Sequence, residues 1–95
     1  MTFSATRVSF DSDFMFVDLD DGRRLGIPLY WYPRLYDATH DQRCKVRIFG
    51  RGTGLTWEEL DEDISIEGLL AGKMDNTVKG RARRAEIEAA MHAAE

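Results

Sequence analysis

Five carboxylates crowd one short stretch of the chain: Glu58, Glu59, Asp61, Glu62 and Asp63. Ionised carboxylates at that density repel one another, so such a group persists when it is solvated, paired with Lys or Arg, or bound to a cation. Hard cations take clustered oxygen ligands, so a carboxylate metal-dependent enzyme would be built on Asp61, Glu62 and Asp63. The spacing is not that of a D-x-D-x-D-G…E calcium loop, and no histidine stands near for a transition metal. No metal and no cofactor is expected. The segment reads as solvated, arginine-paired or turned toward a partner.

The remaining chemistry-bearing residues give no catalytic set. His40 and His92 belong to neither H-x-x-x-H nor H-E-x-x-H. His40 and Cys44 stand at i, i+4, which a helix aligns, but no oxyanion donor or orienting Asn or Asp signature accompanies them. Gly50-Arg51-Gly52-Thr53-Gly54 lacks the G-x-x-x-x-G-K-[ST] pattern and sits at a hairpin rather than between strand and helix, so it reads as a turn. No catalytic residue is assigned and the chain reads as non-enzymatic. Lys79, Arg81, Arg83 and Arg84 form the basic run. On a helix Arg81 and Arg84 share one face and Lys79 and Arg83 another, a surface for nucleic acid or for an acidic cluster on this or another chain. Tyr30, Trp31, Tyr32, Tyr36 and Trp57 pack large area while keeping a polar atom each, and such residues also dominate binding hot spots. Arg34 is placed to stack on one of these rings or to pair with Asp61, Glu62 or Asp63.

These residues need elements to hold them. Phe14–Leu19 alternates with Met15, Val17 and Leu19 on the uncharged face, the expected core side of a central strand. Asp20-Asp21-Gly22-Arg23 predicts a two-residue type I′ hairpin, after which Leu25 and Ile27 return the chain and Pro28 ends the strand. Tyr30–Arg43 reads as helical, with Pro33 in the first turn and Thr39 as a cap for a further turn. Lys45–Phe49 alternates polar and apolar, a half-buried strand. Leu55–Trp57 pairs back on it, and Ile64–Ile66 is a third short run. One helical turn over Glu67–Ala71 follows, with Ser65 as a cap and Gly72 as the stop. From Lys73 the composition turns to Ala, Glu and Arg, and Thr77–Ala94 reads as a helix with a weak apolar stripe that Gly80 weakens at its start.

The chain has 95 residues, 43% of them hydrophobic and 32% charged, enough for one compact domain with a modest core, for which self-association is a help. Its net charge of −4 repels phosphate backbones at long range, so nucleic acid is a disfavoured partner. Cys44 is the single cysteine, so no internal disulfide forms. Thr2–Thr6 shows no signal-peptide apolar region, and no apolar run nears the ~20 residues of a bilayer span. The expectation is a soluble cytoplasmic protein without membrane contact.

Three phrases together are specific: Asp21-Gly22-Arg23, the run Trp31-Tyr32-Pro33-Arg34-Leu35, and the run Trp57-Glu58-Glu59-Leu60-Asp61-Glu62-Asp63-Ile64-Ser65-Ile66-Glu67-Gly68-Leu69-Leu70-Ala71-Gly72. Over roughly residues 7–72 the sequence resembles the bacterial family called domain of unknown function 2442. The resemblance implies a small α+β domain. Some members join it to a C-terminal helix-turn-helix, and others are encoded beside a small uncharacterised protein in an arrangement like a toxin–antitoxin pair. It implies no catalytic residues. The tail here is too short for a complete helix-turn-helix.

The expected architecture is α+β: a small antiparallel sheet of four to five strands, one or two packed helices and a C-terminal helix, with residues 1–72 as the domain and 73–95 as a helical tail. The expected role is a protein-interaction or regulatory module, antitoxin-like in its concrete form. Another protein or a second copy would be held by Trp31, Arg34, Trp57, Asp61, Glu62 and Asp63. A nucleic-acid regulator using Lys79, Arg81, Arg83 and Arg84 is the alternative.

Overall fold

A computed structural model describes residues 3–93. The chain opens with an antiparallel meander, β1 (Ala5–Phe10), β2 (Phe14–Leu19) and β3 (Arg24–Pro28), in spatial order β1-β2-β3. The alternation of β2 acts as expected. Met15, Val17 and Leu19 are buried in the main core, and Phe14 and Phe16 lie on the outer face with ring centroids 6.0 Å apart. Arg24, opposite Asp18 in register, pairs with it at 2.6 Å and lies over the Phe16 ring.

The turn between β2 and β3 differs from the expected two-residue type I′ form. Leu19 N–H donates to Arg23 O at 2.8 Å and Gly22 N–H to Leu19 O at 3.1 Å, enclosing a three-residue loop in which only Gly22 has a positive φ, 92°. This is a type I turn closed by a glycine bulge. Two contacts favour it. The Asp21 carboxylate accepts the Arg23 N–H at 3.1 Å, and Asp20 is held by Ser4, whose carbonyl accepts the Asp20 N–H at 2.9 Å.

The helical stretch after β3 is broken into a 3-10 turn at Leu29–Trp31, α1 (Pro33–Tyr36) and α2 (His40–Cys44). Tyr32, just before proline, sits at φ −126°, ψ 86°, outside the helical region that Pro33 disfavours for its predecessor. Thr39 caps α2 through a capping box: Gln42 N–H donates to Thr39 Oγ1 at 3.1 Å and Thr39 N–H to Gln42 Oε1 at 2.9 Å. Arg43 ties the two helices together by donating to the carbonyls of Leu35 (2.6 Å) and Tyr36 (2.7 Å).

A second meander follows: β4 (Arg47–Phe49), β5 (Gly54–Trp57) and β6 (Glu62–Ser65), in order β4-β5-β6. The single sheet of four to five strands expected from the sequence is thus two separate three-stranded antiparallel sheets. Each strand pairs only with its chain neighbours. The sheets meet through a close approach at Gly52, where a Cβ would stand 2.8 Å from the Ala5 carbonyl oxygen. Both inner faces feed one core, with Leu29, Tyr32 and Leu35 joining Leu55, Trp57 and Ile64.

α3 (Ile66–Leu70) is capped by Ser65, whose Oγ accepts the Gly68 N–H at 2.9 Å. It ends as expected at Gly72, φ 75°, with Lys73 N–H donating to Gly68 O at 2.9 Å and Gly72 N–H to Leu69 O at 3.0 Å, a Schellman stop. α4 (Val78–Ala93) begins at Thr77, whose Oγ1 accepts the Gly80 N–H at 3.0 Å. It rests on α1 and the 3-10 turn with Gly80 and Ile87 buried. Gly80 lies against the Asp75 carboxylate, so the residue that lowers helix propensity is the one whose missing side chain lets the helix dock. Ala94, expected as the last helical residue, lies outside the described residues.

Candidate interaction surface

The acidic segment does not form one patch; strand alternation and a tight corner send its members apart. Glu58 pairs with Arg47 at 2.8 Å and Glu59 with Lys45 at 3.2 Å, both across to the β4 side. Bonds from Gln42 and Lys45 hold the Glu59 carboxyl below the usual glutamate range. Asp61 forms the corner before β6 at φ 51°, and its carbonyl accepts a bond from the Arg34 guanidinium. Asp63 faces outward and accepts the Thr56 hydroxyl.

Glu62 is the exception. It stands opposite Trp57 in register and shares the core side of β6 with Ile64, so it is half-buried. Burial pushes its carboxyl up to about 7; Arg34 opposes the rise, while Asp75, Asp63 and Asp61 add to it. Tyr32, beside it, donates its hydroxyl to the Lys73 carbonyl at 2.5 Å, and burial pushes that phenol up to about 12. Among the described residues no three His, Cys, Asp or Glu side chains converge as a metal group.

The six residues expected to form one interaction surface are therefore distributed. Arg34, Asp61 and Glu62 gather beside Tyr32 and Asp75. Trp31 is half-buried next to them, its carbonyl accepting the Asp75 N–H at 3.1 Å. Asp63 is on the outer face of the second sheet. Trp57 is 1% exposed, with its indole N–H donating to Arg43 O at 2.9 Å; on the central strand of its sheet it is a core residue rather than a surface one.

The basic run on α4 also divides. Arg83 makes a two-pronged pair with Asp37 at 2.8 and 2.9 Å and reaches Glu86 at 3.0 Å; the bond to Arg83 holds the Asp37 carboxyl low. Arg84 donates to the Asp75 carbonyl at 2.7 Å. Lys79 and Arg81 remain exposed. A cleft of about 500 Å³ between α1, α2 and the start of α4 is lined by Arg34, Lys79 and Arg83 and by Asp37, Glu59 and Asp75, so its charges balance. On α2, His40 Nε2 stands 3.4 Å from Cys44 Sγ, both exposed, with no carboxylate bonded to the imidazole among the described residues.

A larger groove, about 950 Å³, opens on the outer side of the second sheet against α3. Its apolar lining includes Phe3, Phe49, Ile64 and Leu70, and the charged residues lining it are Asp63 and Glu67. Phe49, 45% exposed, lies across Gly54, where a Cβ would collide with the ring. Ile48, 36% exposed, stands opposite Leu55 in register and so turns to the core side of β4, away from the groove. The sequence reading passed over this groove. The available signal was Phe49 itself, which shares the polar side of the Lys45–Phe49 alternation with Lys45 and Arg47.

Two three-stranded meanders on one core with a C-terminal helix define a small α+β domain. The family model described as "Protein of unknown function (DUF2442)" matches residues 5–75, and the chain belongs to that family. The fold is similar to a crystal structure of a protein of unknown function from Rhodospirillum rubrum ATCC 11170, at 37% identity and a TM-score of 0.72, covering 81% of this chain and 95% of that one. It is also similar to the solution structure of an uncharacterized protein from Chromobacterium violaceum, at 28% identity and a TM-score of 0.67, covering 83% of this chain and 73% of that one. No curated protein matches the chain. No helix of the described residues is long and apolar enough to cross a membrane.

Proposed function

We propose that this chain is a non-enzymatic interaction module that binds another protein through the outer face of its second sheet. The observation that carries the reading is Phe49: a large aromatic ring nearly half exposed on an edge strand, at the wall of a groove. Exposed apolar surface gathered in one place marks a contact site in a small domain, and aromatic side chains supply most of the binding energy where they are enclosed. β4 is short and carries Arg47, which guards its edge against strand pairing, so what it offers on the outer face is the Phe49 ring rather than its backbone. The antitoxin-like role is the concrete form of this reading, in which an acidic chain of net charge −4 covers and neutralises a basic partner.

The pairing of the other charged groups weighs in the same direction. Glu58 is paired with Arg47 of β4 and Glu59 with Lys45 just before that strand, and Arg83 and Arg84 are engaged by the domain. That leaves Lys79 and Arg81 as outward cations of α4, few for a phosphate-backbone surface. Affinity capture from a lysate of the source organism, with wild type, Phe49→Ser and Arg34→Ala as baits, tests the reading. A partner lost with Phe49→Ser and kept with Arg34→Ala supports it. An unchanged set of captured proteins with Phe49→Ser refutes it.

A further inference from the structure

We infer that the groove receives a cationic side chain, lysine or arginine, carried next to an apolar residue on a segment of a partner protein. The inference rests on the reading that this face is the binding surface, and it adds what fills it. Three features of the groove converge on that occupant.

The first is size and lining. About 950 Å³ with Phe49, Ile64 and Leu70 on its walls lies at the upper end of ligand-pocket volumes, room for an aliphatic or aromatic side chain together with the long stem of a Lys or Arg. The second is charge. Asp63 and Glu67 are the charged lining residues, and Arg23, outside the lining, reaches it through the lining ring of Phe3. Neither carboxylate joins an ion pair among the described residues, whereas Glu58 and Glu59 both do. Asp63 accepts the Thr56 hydroxyl with Oδ1, leaving Oδ2 for a second donor. The third is the ring. Phe3 carries the Arg23 guanidinium 4.4 Å from its centroid and Phe16 carries that of Arg24 at 5.8 Å. Phe49 has no such cation among the described residues, although it lines the same groove as two carboxylates. A cation seated between an aromatic face and carboxylates gains both attractions, more strongly once water is excluded.

A second copy of this chain fits the groove poorly. An isologous contact sets the same surface against itself, which would bring Asp63 and Glu67 toward their own equivalents. Phosphate-bearing partners meet the same repulsion.

The test is selection from a phage-displayed random-peptide library on the full chain. Affinities of the enriched peptides are then measured by fluorescence anisotropy on wild type, Phe49→Ser, the pair Asp63→Asn with Glu67→Gln, and Arg34→Ala as a control in the other cleft. The expected result is enrichment of Lys or Arg beside aromatic or aliphatic residues. The double variant should bind roughly tenfold more weakly with a flattened salt dependence, and Arg34→Ala as wild type does. Peptides that lose affinity with Phe49→Ser but carry no cation, or that ignore the double variant, overturn the cationic occupant and leave the binding face standing. Peptides indifferent to Phe49→Ser, or no enrichment at all, overturn both. Sedimentation showing a concentration-dependent dimer that Phe49→Ser abolishes assigns the groove to a second copy and also overturns the inference. Circular dichroism of each variant separates these results from unfolding.

Discussion

Replacing Glu62 by Gln removes an ionisable group from the core side of β6 while keeping its size and hydrogen-bonding reach. Burial is the main cause of its carboxyl standing near 7 rather than 4.5; Asp75, Asp63 and Asp61 add repulsion, and Arg34 offsets part of it. Because the folded value lies above the unfolded one, the folded state holds this proton more tightly between about pH 4.5 and 7. Stability contributed by the neutral form is therefore lost as pH rises through that window, and the full penalty is present above it. A difference between about 7 and 4.5 corresponds to roughly 3 kcal/mol. Solvent screening of a half-buried side chain reduces this to about 1–2 kcal/mol. Glu62→Gln should thus be more stable than wild type by about 1–2 kcal/mol near pH 8 and equal to it near pH 4. For a domain of this size the first figure is a rise of roughly 5–10 °C in melting temperature. Urea unfolding followed by the fluorescence of buried Trp57 measures the difference at each pH. Subtracting wild type from variant cancels the opposite trend of Asp37 and Glu59, whose paired carboxyls gain stability as pH rises. A Gln variant whose advantage is the same at both pH values, or absent at the higher one, refutes the assignment of the strain to ionised Glu62.

Leu55, fully buried on the central strand of the second sheet, should cost about 2–5 kcal/mol as Leu55→Ala, and the partly exposed Ile48 opposite it should cost less as Ile48→Ser; chemical denaturation separates them, and equal costs would mean that Ile48 is as enclosed as Leu55. Thr39→Ala removes the capping box of α2 and should lower stability by about 1 kcal/mol, with faster amide exchange at Gln42 as the local signature. Gly80→Ala should destabilise the docking of α4 despite a helix-propensity gain of about 1 kcal/mol, because the new methyl meets the Asp75 carboxylate; hydrogen exchange should quicken in α4 and not in β2, and a raised melting temperature would contradict the packing. Asp37→Ala breaks the exposed pair with Arg83 and should cost at most about 1 kcal/mol, less at high salt.

What could be read in advance was what a few neighbouring residues decide. The buried face of Met15, Val17 and Leu19, the caps at Thr39 and Ser65, the stop at Gly72 and the helix from Thr77 each follow from side chains within one or two turns of where they act. The features that escaped depend on residues far away in sequence. Asp20 leaves the type I′ turn because Ser4 holds it. Two sheets replace one because each strand pairs only with its chain neighbours and the sheets meet at Gly52 and Ala5, a packing choice that period-2 alternation cannot express. The acidic segment looked like one object in the sequence because its members are adjacent; as parts of a turn and a strand they point in different directions. The alternation of Glu62 with Ile64 already placed one carboxylate on the core side, and that of Phe49 with Arg47 already placed one aromatic ring on the solvent side. Each breaks the rule that its own strand otherwise obeys. Local exceptions of this kind are where a sequence departs from what folding alone requires. Here they fall on the two groups, Glu62 and Phe49, that carry the chain's strained ionisation and its open groove.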